Sequence, residues 1–376
     1  MFTRSDTSLL ARWWWTIDRW LLFQIFLLMF IGIILVVTAS PSVAKKIDVE
    51  SLYFAKRHLA YMILGSAALV GASLLKPEQI RIFAAGLFVL MVVGMLLTFF
   101  SVSIKGARRW INLWGFSLQP SEFLKPAFVI LTAWLFAEQA NDRTFPGQRI
   151  AMGVLIFNLI LLLCQPDVGT SVLMAATFTG QFILAGLSLV WILYVFLLGG
   201  ASLVGAYFFF PHVAQRIDRF LFATNVDKYA EGYQIHQSLE SFANGGWLGM
   251  GPGEGIIKKH LPDAHADFIF SVASEEFGLV FCIVVIAIFT SIVWQISSRA
   301  LQESSYFHVY ATIGLVIQFS LQTTINIASS VHLIPTKGMT LPLISYGGSS
   351  IIATCMALGF ILSFNRRVVI GGRHVR

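Results

Sequence analysis

Apolar runs of membrane-crossing length recur along the whole chain, at 20–40, 58–75, 82–101, 121–137, 149–165, 168–186, 189–210, 269–296, 306–329 and 349–364. Roughly 20 apolar residues in helical form cross the hydrocarbon of a bilayer, so each run predicts a transmembrane helix. Membrane strands are alternating segments of about ten residues, which excludes a barrel for these runs. The pattern predicts an all-α polytopic membrane protein with ten transmembrane helices. It is interrupted once, at 211–268, a polar, glycine-rich stretch that predicts a large extracytoplasmic loop between helices 7 and 8. The organisation that follows is a cytoplasmic N-terminal segment at 1–19, a membrane domain at 20–364 and a cytoplasmic tail at 365–376.

Composition agrees: 57% of residues are hydrophobic and only 12% charged, with a mean hydropathy of +0.76. The first run is full length and lacks a small-residue cleavage site behind a short core, so it is expected to stay as an anchor. Trp13, Trp14, Trp15 and Trp20 precede it, where amphipathic rings favour the headgroup layer. Cys164, Cys282 and Cys355 fall in or at the end of apolar runs and read as small buried hydrophobes. His260 and His265 are spaced five apart, a poor fit to one helical face, and give no metal pair.

Ten spans place both termini on one side. The net charge is +7, and the basic residues divide almost evenly between the two sides, so a bare count does not orient the chain. Short loops carry the orientation signal, and the Arg-rich ends together with the 76–81, 138–148 and 298–305 connections favour cytoplasmic termini. The outer side then holds an excess of cations, suited either to an anionic ligand or to anionic lipid headgroups.

Ionisable groups inside hydrocarbon cost about 2.5–3.5 kcal/mol each and so call for partners or a wet cavity. Glu122 and Lys125 stand three apart on one helical side, as an internal ion pair or as substrate contacts. In Gln165-Pro166-Asp167-Val168-Gly169-Thr170, proline ends one helix and Asp167 can cap the next. Gln318, Gln322, Asn326 and Ser329 form one polar stripe along the ninth span, which either binds helices together or faces a shared cavity. Asp267, Ser271, Ser274 or Glu275, and Gly278 align on the eighth, with Asp267 at its outer mouth as a helix cap or as an acid with chemistry to do.

Gly245, Gly246, Gly249, Gly251, Gly253 and Gly255 lack the strand, lysine and spacing of a nucleotide loop; they suit a loop folded tightly over the membrane surface. Pro335 and Pro342 flank a second irregular linker that ends in Tyr346-Gly347-Gly348-Ser349-Ser350. Gly65-Ser66-Ala67-Ala68 can pack internally or against a partner helix.

Taken in order, Lys105-Gly106-Ala107-Arg108-Arg109-Trp110-Ile111, Gln119-Pro120-Ser121-Glu122, the Gln165 to Thr170 motif, the 233–278 block and Ser345-Tyr346-Gly347-Gly348-Ser349-Ser350 resemble the shape, elongation, division and sporulation (SEDS) family over nearly the whole chain. Leu333-Ile334-Pro335-Thr336-Lys337-Gly338-Met339-Thr340-Leu341-Pro342 resembles the division branch rather than the elongation branch.

The resemblance implies a bacterial inner-membrane glycosyltransferase that polymerises lipid II, acting at the division septum. It maps the catalytic acid to Asp267, in His265-Ala266-Asp267 where many relatives read His-Thr-Asp. An α-linked donor that becomes a β-1,4 product requires one inverting displacement with a single carboxylate as base. Lys105, Arg108, Arg109, Lys258, Lys259 and Lys337 are the cations expected at the departing pyrophosphate. Glu122, Lys125, Gln165, Asp167, Glu275, Gln318, Gln322, Asn326 and Ser345 are the expected supports of the cavity. A divalent cation (Mg or Mn) could assist, although no dedicated ligand cluster stands out. The implied partners are lipid II, the nascent glycan strand, a class B penicillin-binding transpeptidase, septal division proteins and membrane lipids, with no nucleic acid. A lipid II flippase, an elongation-type polymerase and a division scaffold are the alternatives.

Overall fold

Helices account for most of the chain because its long apolar segments can satisfy every backbone polar group internally in no other way. The computed structural model describes residues 8–101, 108–113, 116–186, 231–334, 338–366, 368–370 and 373–375, with scattered positions between 197 and 218. In chain order the helices are α1 (Leu9–Thr16), α2 (Arg19–Ala44), α3 (Tyr53–Leu74), α4 (Pro77–Thr98), α5 (Pro120–Asn141), α6 (Gly147–Cys164), α7 (Val168–Leu184), α8 (Glu231–Gly245), α9 (Ile269–Ala300), α10 (Tyr306–Ser330) and α11 (Gly348–Phe364). Seven of them are long and apolar enough to cross a membrane, and α7 and α11 are shorter apolar helices. The expected span at 189–210 lies largely outside the described residues.

α3 and α4 begin five residues before their apolar runs, and the other described spans begin within two residues of theirs. Pro77 and Pro120 occupy the first turns of α4 and α5, where a missing N–H costs nothing. The all-α expectation needs one correction: Ile111–Leu113 (β1) pairs antiparallel with Phe116–Leu118 (β2), and Val368–Ile370 (β3) with Arg373–Val375 (β4). Each is a local hairpin next to a helix end, where the backbone finds its partner close by. No apolar run marks them.

Close helix contacts use small residues, as membrane packing favours. Gly65 on α3 faces Cys355 and Ile351 of α11, and a Cβ at Gly359 would lie 2.6 Å from the Leu69 carbonyl. Gly65 itself therefore packs internally, whereas Ala67 of the same stretch is exposed. At the other end of the bundle Asp18 caps α2 through the Trp20 and Leu21 amides and pairs with Arg299. The tryptophans of α1 are less uniform than a headgroup belt: Trp13 donates to Ser73 at 2.7 Å, whereas Trp14 and Trp15 carry the Arg19 guanidinium.

The eighth predicted span, 269–296, is interrupted. Gly278 has φ 81° and ψ 176°, outside the helical region, and it divides α9 in two. The amides of Met250 and Gly251 take the carbonyls of Glu275 and Glu276, while Leu279 and Val280 donate to Gly246 and Trp247. Loop and helix exchange their hydrogen bonds at the break. A Cβ at Gly278 would lie 2.4 Å from the Trp247 carbonyl oxygen, so no other residue fits. From Leu279 to Ala300 22 residues remain, enough to cross about 30 Å of hydrocarbon unaided. The 269–277 portion is buried instead among other elements.

Candidate active site

Asp267 is half-buried and sits just before α9, whose N-cap position is taken by Phe268. Its main chain is held from several sides. The Asp267 amide donates to the Asp263 carbonyl at 3.1 Å, and its carbonyl accepts from the Asn326 side chain at 3.0 Å. One residue back, the Ala266 carbonyl accepts from Ser345 Oγ at 2.6 Å; two back, the His265 carbonyl accepts from the Tyr346 amide at 2.9 Å. The linker after α10 is therefore stitched to the turn that bears the carboxylate. Gly338 lies beside it, where an added Cβ would stand 3.5 Å from Asp267 Oδ2.

The polar stripe of α10 supplies much of this stitching. Asn326, only 1% exposed, bridges the Asp267 carbonyl and the Met339 carbonyl, the latter at 2.6 Å. Gln322 donates to the Thr340 carbonyl at 3.1 Å and accepts from Lys125 Nζ at 3.1 Å. Lys125 in turn pairs with Glu122 at 2.9 Å. A continuous run of polar contacts thus leads from α5 through α10 to the linker against Asp267. Gln318 lines a crevice with Gln322, Pro342 and Leu358, and Ser329 turns back onto the Asn326 carbonyl.

Gln165 and Asp167 lie at a separate corner. Gln165 donates to Thr98 Oγ1 at 2.6 Å and to the Met95 carbonyl, and Asp167 caps α7 through the Thr170 amide. Arg109 closes the corner, donating to the carbonyls of Gln165 and Pro166 and standing 3.8 Å from Asp167. Arg109 is thereby committed to the turn. Arg108 is exposed and donates to the Phe99 carbonyl at 2.8 Å.

Lys258 departs from its expected place at a ligand. It is 3% exposed, and its ammonium donates to Glu276, to the Thr38 carbonyl and to the Gly253 carbonyl. Three acceptors use its three protons, so Lys258 is an internal cation. Lys259, its neighbour, is exposed. Glu275 is 0% exposed and takes three backbone amides: Ile256 and Ile257 at 2.6 Å on Oε1, and Lys258 at 3.0 Å on Oε2. Two adjacent carboxylates of α9 therefore fasten the 246–260 loop to the helix that begins at Asp267. Lys105 and Lys337 lie outside the described residues.

Sequence reasoning did not select an aromatic group behind His265. The His265 ring lies 4.3 Å from Phe54 and 4.9 Å from Tyr346, and Tyr346 meets His58 and Tyr61. Burial, with Tyr61 adding to it, holds the Tyr346 hydroxyl well above its ordinary pKa, so it stays protonated. Neither ring nitrogen of buried His58 has a hydrogen-bond partner among the described residues. Lys46 donates to the Leu261 carbonyl at 3.1 Å. Contacts of this kind join distant segments, and no local spacing announces them. Among the described residues no three His, Cys, Asp or Glu side chains converge as a metal site.

Comparison with known proteins places the chain. The family of cell cycle proteins that takes in FtsW, RodA and SpoVE matches residues 18–369. The probable peptidoglycan glycosyltransferase FtsW of Caulobacter vibrioides is 40% identical over 371 residues, covering 97% of this chain and 93% of that protein. The protein of the same name in Tolumonas auensis is 34% identical over 361 residues, 93% of each. In fold, the chain is similar to the rod shape determining protein RodA of Thermus thermophilus, with a TM-score of 0.66 and 22% identity over 93% of this chain and 96% of that one. It is also similar, with a TM-score of 0.76 and 22% identity over 93% and 97% of the two chains, to a chain from a peptidoglycan synthase complex that coordinates polymerization and crosslinking.

Proposed function

Because the chain belongs to the FtsW/RodA/SpoVE family of cell cycle proteins, we propose that it is a peptidoglycan glycosyltransferase, polymerising lipid II into β-1,4-linked glycan strands for the division septum. The observation that carries the reading is the Asp267 turn, fixed through Asn326, Ser345 and Tyr346 at the head of α9. A base must be held still relative to the hydroxyl it deprotonates, and these bonds fix the backbone on either side of the carboxylate.

In the proposed reaction Asp267 takes the proton of the acceptor's 4-hydroxyl. The oxygen attacks the donor's anomeric carbon on the face opposite the pyrophosphate. The carbon–oxygen bond to pyrophosphate breaks, and the leaving group departs with the electron pair. Inversion turns the α linkage into β. Arg108 and Lys259, both exposed, are assigned to the developing negative charge together with Lys105 and Lys337. Lys258 is withdrawn from that role by its burial. Glu122, Lys125, Gln322 and Asn326 hold the linker against the turn, and Arg109, Gln165 and Asp167 hold the neighbouring corner.

The protein works, on this reading, as a multi-pass protein of the inner membrane with ten spans, both termini cytoplasmic and 189–210 as the seventh. A class B penicillin-binding transpeptidase crosslinks the strands it makes. The test is polymerisation of lipid II by the purified chain in detergent micelles, with and without the cognate transpeptidase. Detergent has no two sides, so glycan strands formed there support the enzyme; lipid II movement across vesicles with no strands in either setting points to a transporter.

A further inference from the structure

The loop before Asp267 carries an exposed apolar tip. Trp247 and Leu248 are 68% and 82% exposed, and Met250 and Ile256 are exposed as well. Side chains this apolar are costly to leave in water on a polar, glycine-rich loop. Their position supplies the reason. The carbonyls of Gly246 and Trp247 accept from Leu279 and Val280, the first residues after the break at Gly278. From there Leu279, Val280, Ile283 and Val284 are exposed along the half of α9 that is long and apolar enough to cross the membrane, an apolar surface of the kind that lipid covers. Trp247 and Leu248 therefore continue the lipid-facing surface outward at the level where the span begins. Tryptophan is enriched at that level because its ring is apolar and its N–H is polar.

We propose that Trp247 and Leu248 insert into the interfacial layer of the outer leaflet and anchor the 246–260 loop to the bilayer. The occupant of this surface is lipid, because the patch is continuous with the lipid-facing side of α9 and is hydrogen-bonded to its first turn. The anchor has a consequence for the site, which rests on the proposed polymerase reading. The loop is fastened to α9 by Glu275 and Glu276, and the same buried helix segment begins two residues after Asp267. Loop, helix segment and carboxylate form one unit, so the depth of the anchor sets the height of Asp267 above the membrane. A pyrophosphate tethered to a polyprenyl chain is presented at that height.

The experiment needs no activity, so its failure is distinct from failure of the polymerase reading. Single cysteines are placed at Leu248→Cys, at Ile283→Cys in the lipid-facing row and at Glu254→Cys on the exposed face of the same loop. The background is Cys164→Ser; Cys282 and Cys355 are buried. Each variant is labelled with bimane and reconstituted in phosphatidylcholine/phosphatidylglycerol nanodiscs with or without lipids brominated near the headgroup. The probe at 248 should be quenched at least about twofold more than the probe at 254, as an interfacial residue requires. Quenching at 248 no greater than at 254 overturns the proposal. So does a 248 probe that is unquenched in lipid and becomes shielded only when the transpeptidase is added, which would make the patch a protein-docking surface.

Discussion

Replacing Glu275 by glutamine keeps the shape of the side chain and removes what the loop uses. In the native chain one oxygen of the fully buried carboxylate takes the Ile256 and Ile257 amides at 2.6 Å each, and the other takes the Lys258 amide at 3.0 Å. A glutamine offers one oxygen, and its NH₂ must then face a backbone N–H. Either the Lys258 bond or the pair at 256–257 is lost. A hydrogen bond to a charged group contributes about 1.5–3 kcal/mol, so the loop should lose about 2–5 kcal/mol of local stability. Since 1.4 kcal/mol corresponds to a factor of ten, amide exchange at 256–258 should accelerate by about 30-fold or more. Hydrogen–deuterium exchange on Glu275→Gln in nanodiscs reads this directly, with peptides from α10 as the unaffected control. Exchange at 256–258 unchanged from wild type would refute the assignment of Glu275 as the fastener of the loop.

Two further outcomes follow from the same contacts. Asn326→Ala removes the bridge between the Asp267 and Met339 carbonyls; polymerisation kcat should fall by about 10- to 100-fold, the range expected for misplaced catalytic geometry, with lipid II binding nearly unchanged. Lys258→Met leaves Glu276 buried without its cation and should destabilise the protein by about 3–5 kcal/mol, read as a lowered unfolding midpoint in detergent. Lys258→Met with Glu276→Leu should recover most of that loss because no unpaired charge remains.

The membrane helices were legible because hydrocarbon imposes a length and a composition on every span, and periodicity was enough to align Gln318, Gln322, Asn326 and Ser329. What periodicity could not say was where the stripe points. Asn326 reaches the Asp267 carbonyl across 59 positions of sequence. Lys258 illustrates the opposite error: beside Lys259 it looks like half of a basic pair, yet Glu276 faces it and draws it inside. The break at Gly278 was hidden because Asp267, Ser271, Ser274 or Glu275, and Gly278 fall at helical spacing and the residues after the glycine are apolar, so the stretch reads as one helix. The glycine registers only when loop 246–251 is seen to exchange hydrogen bonds with the residues on either side of it. Asp267 is singled out through its place in a set of motifs, since position alone favoured a helix cap.

Asp267 as the catalytic base is tested by lipid II polymerisation with purified Asp267→Asn beside wild type, with photo-crosslinking to a lipid II analogue measured on the same samples. With Asp267 as the base, wild type makes glycan strands, Asp267→Asn makes none, and both crosslink equally. Strands formed by Asp267→Asn at the wild-type rate would contradict that role.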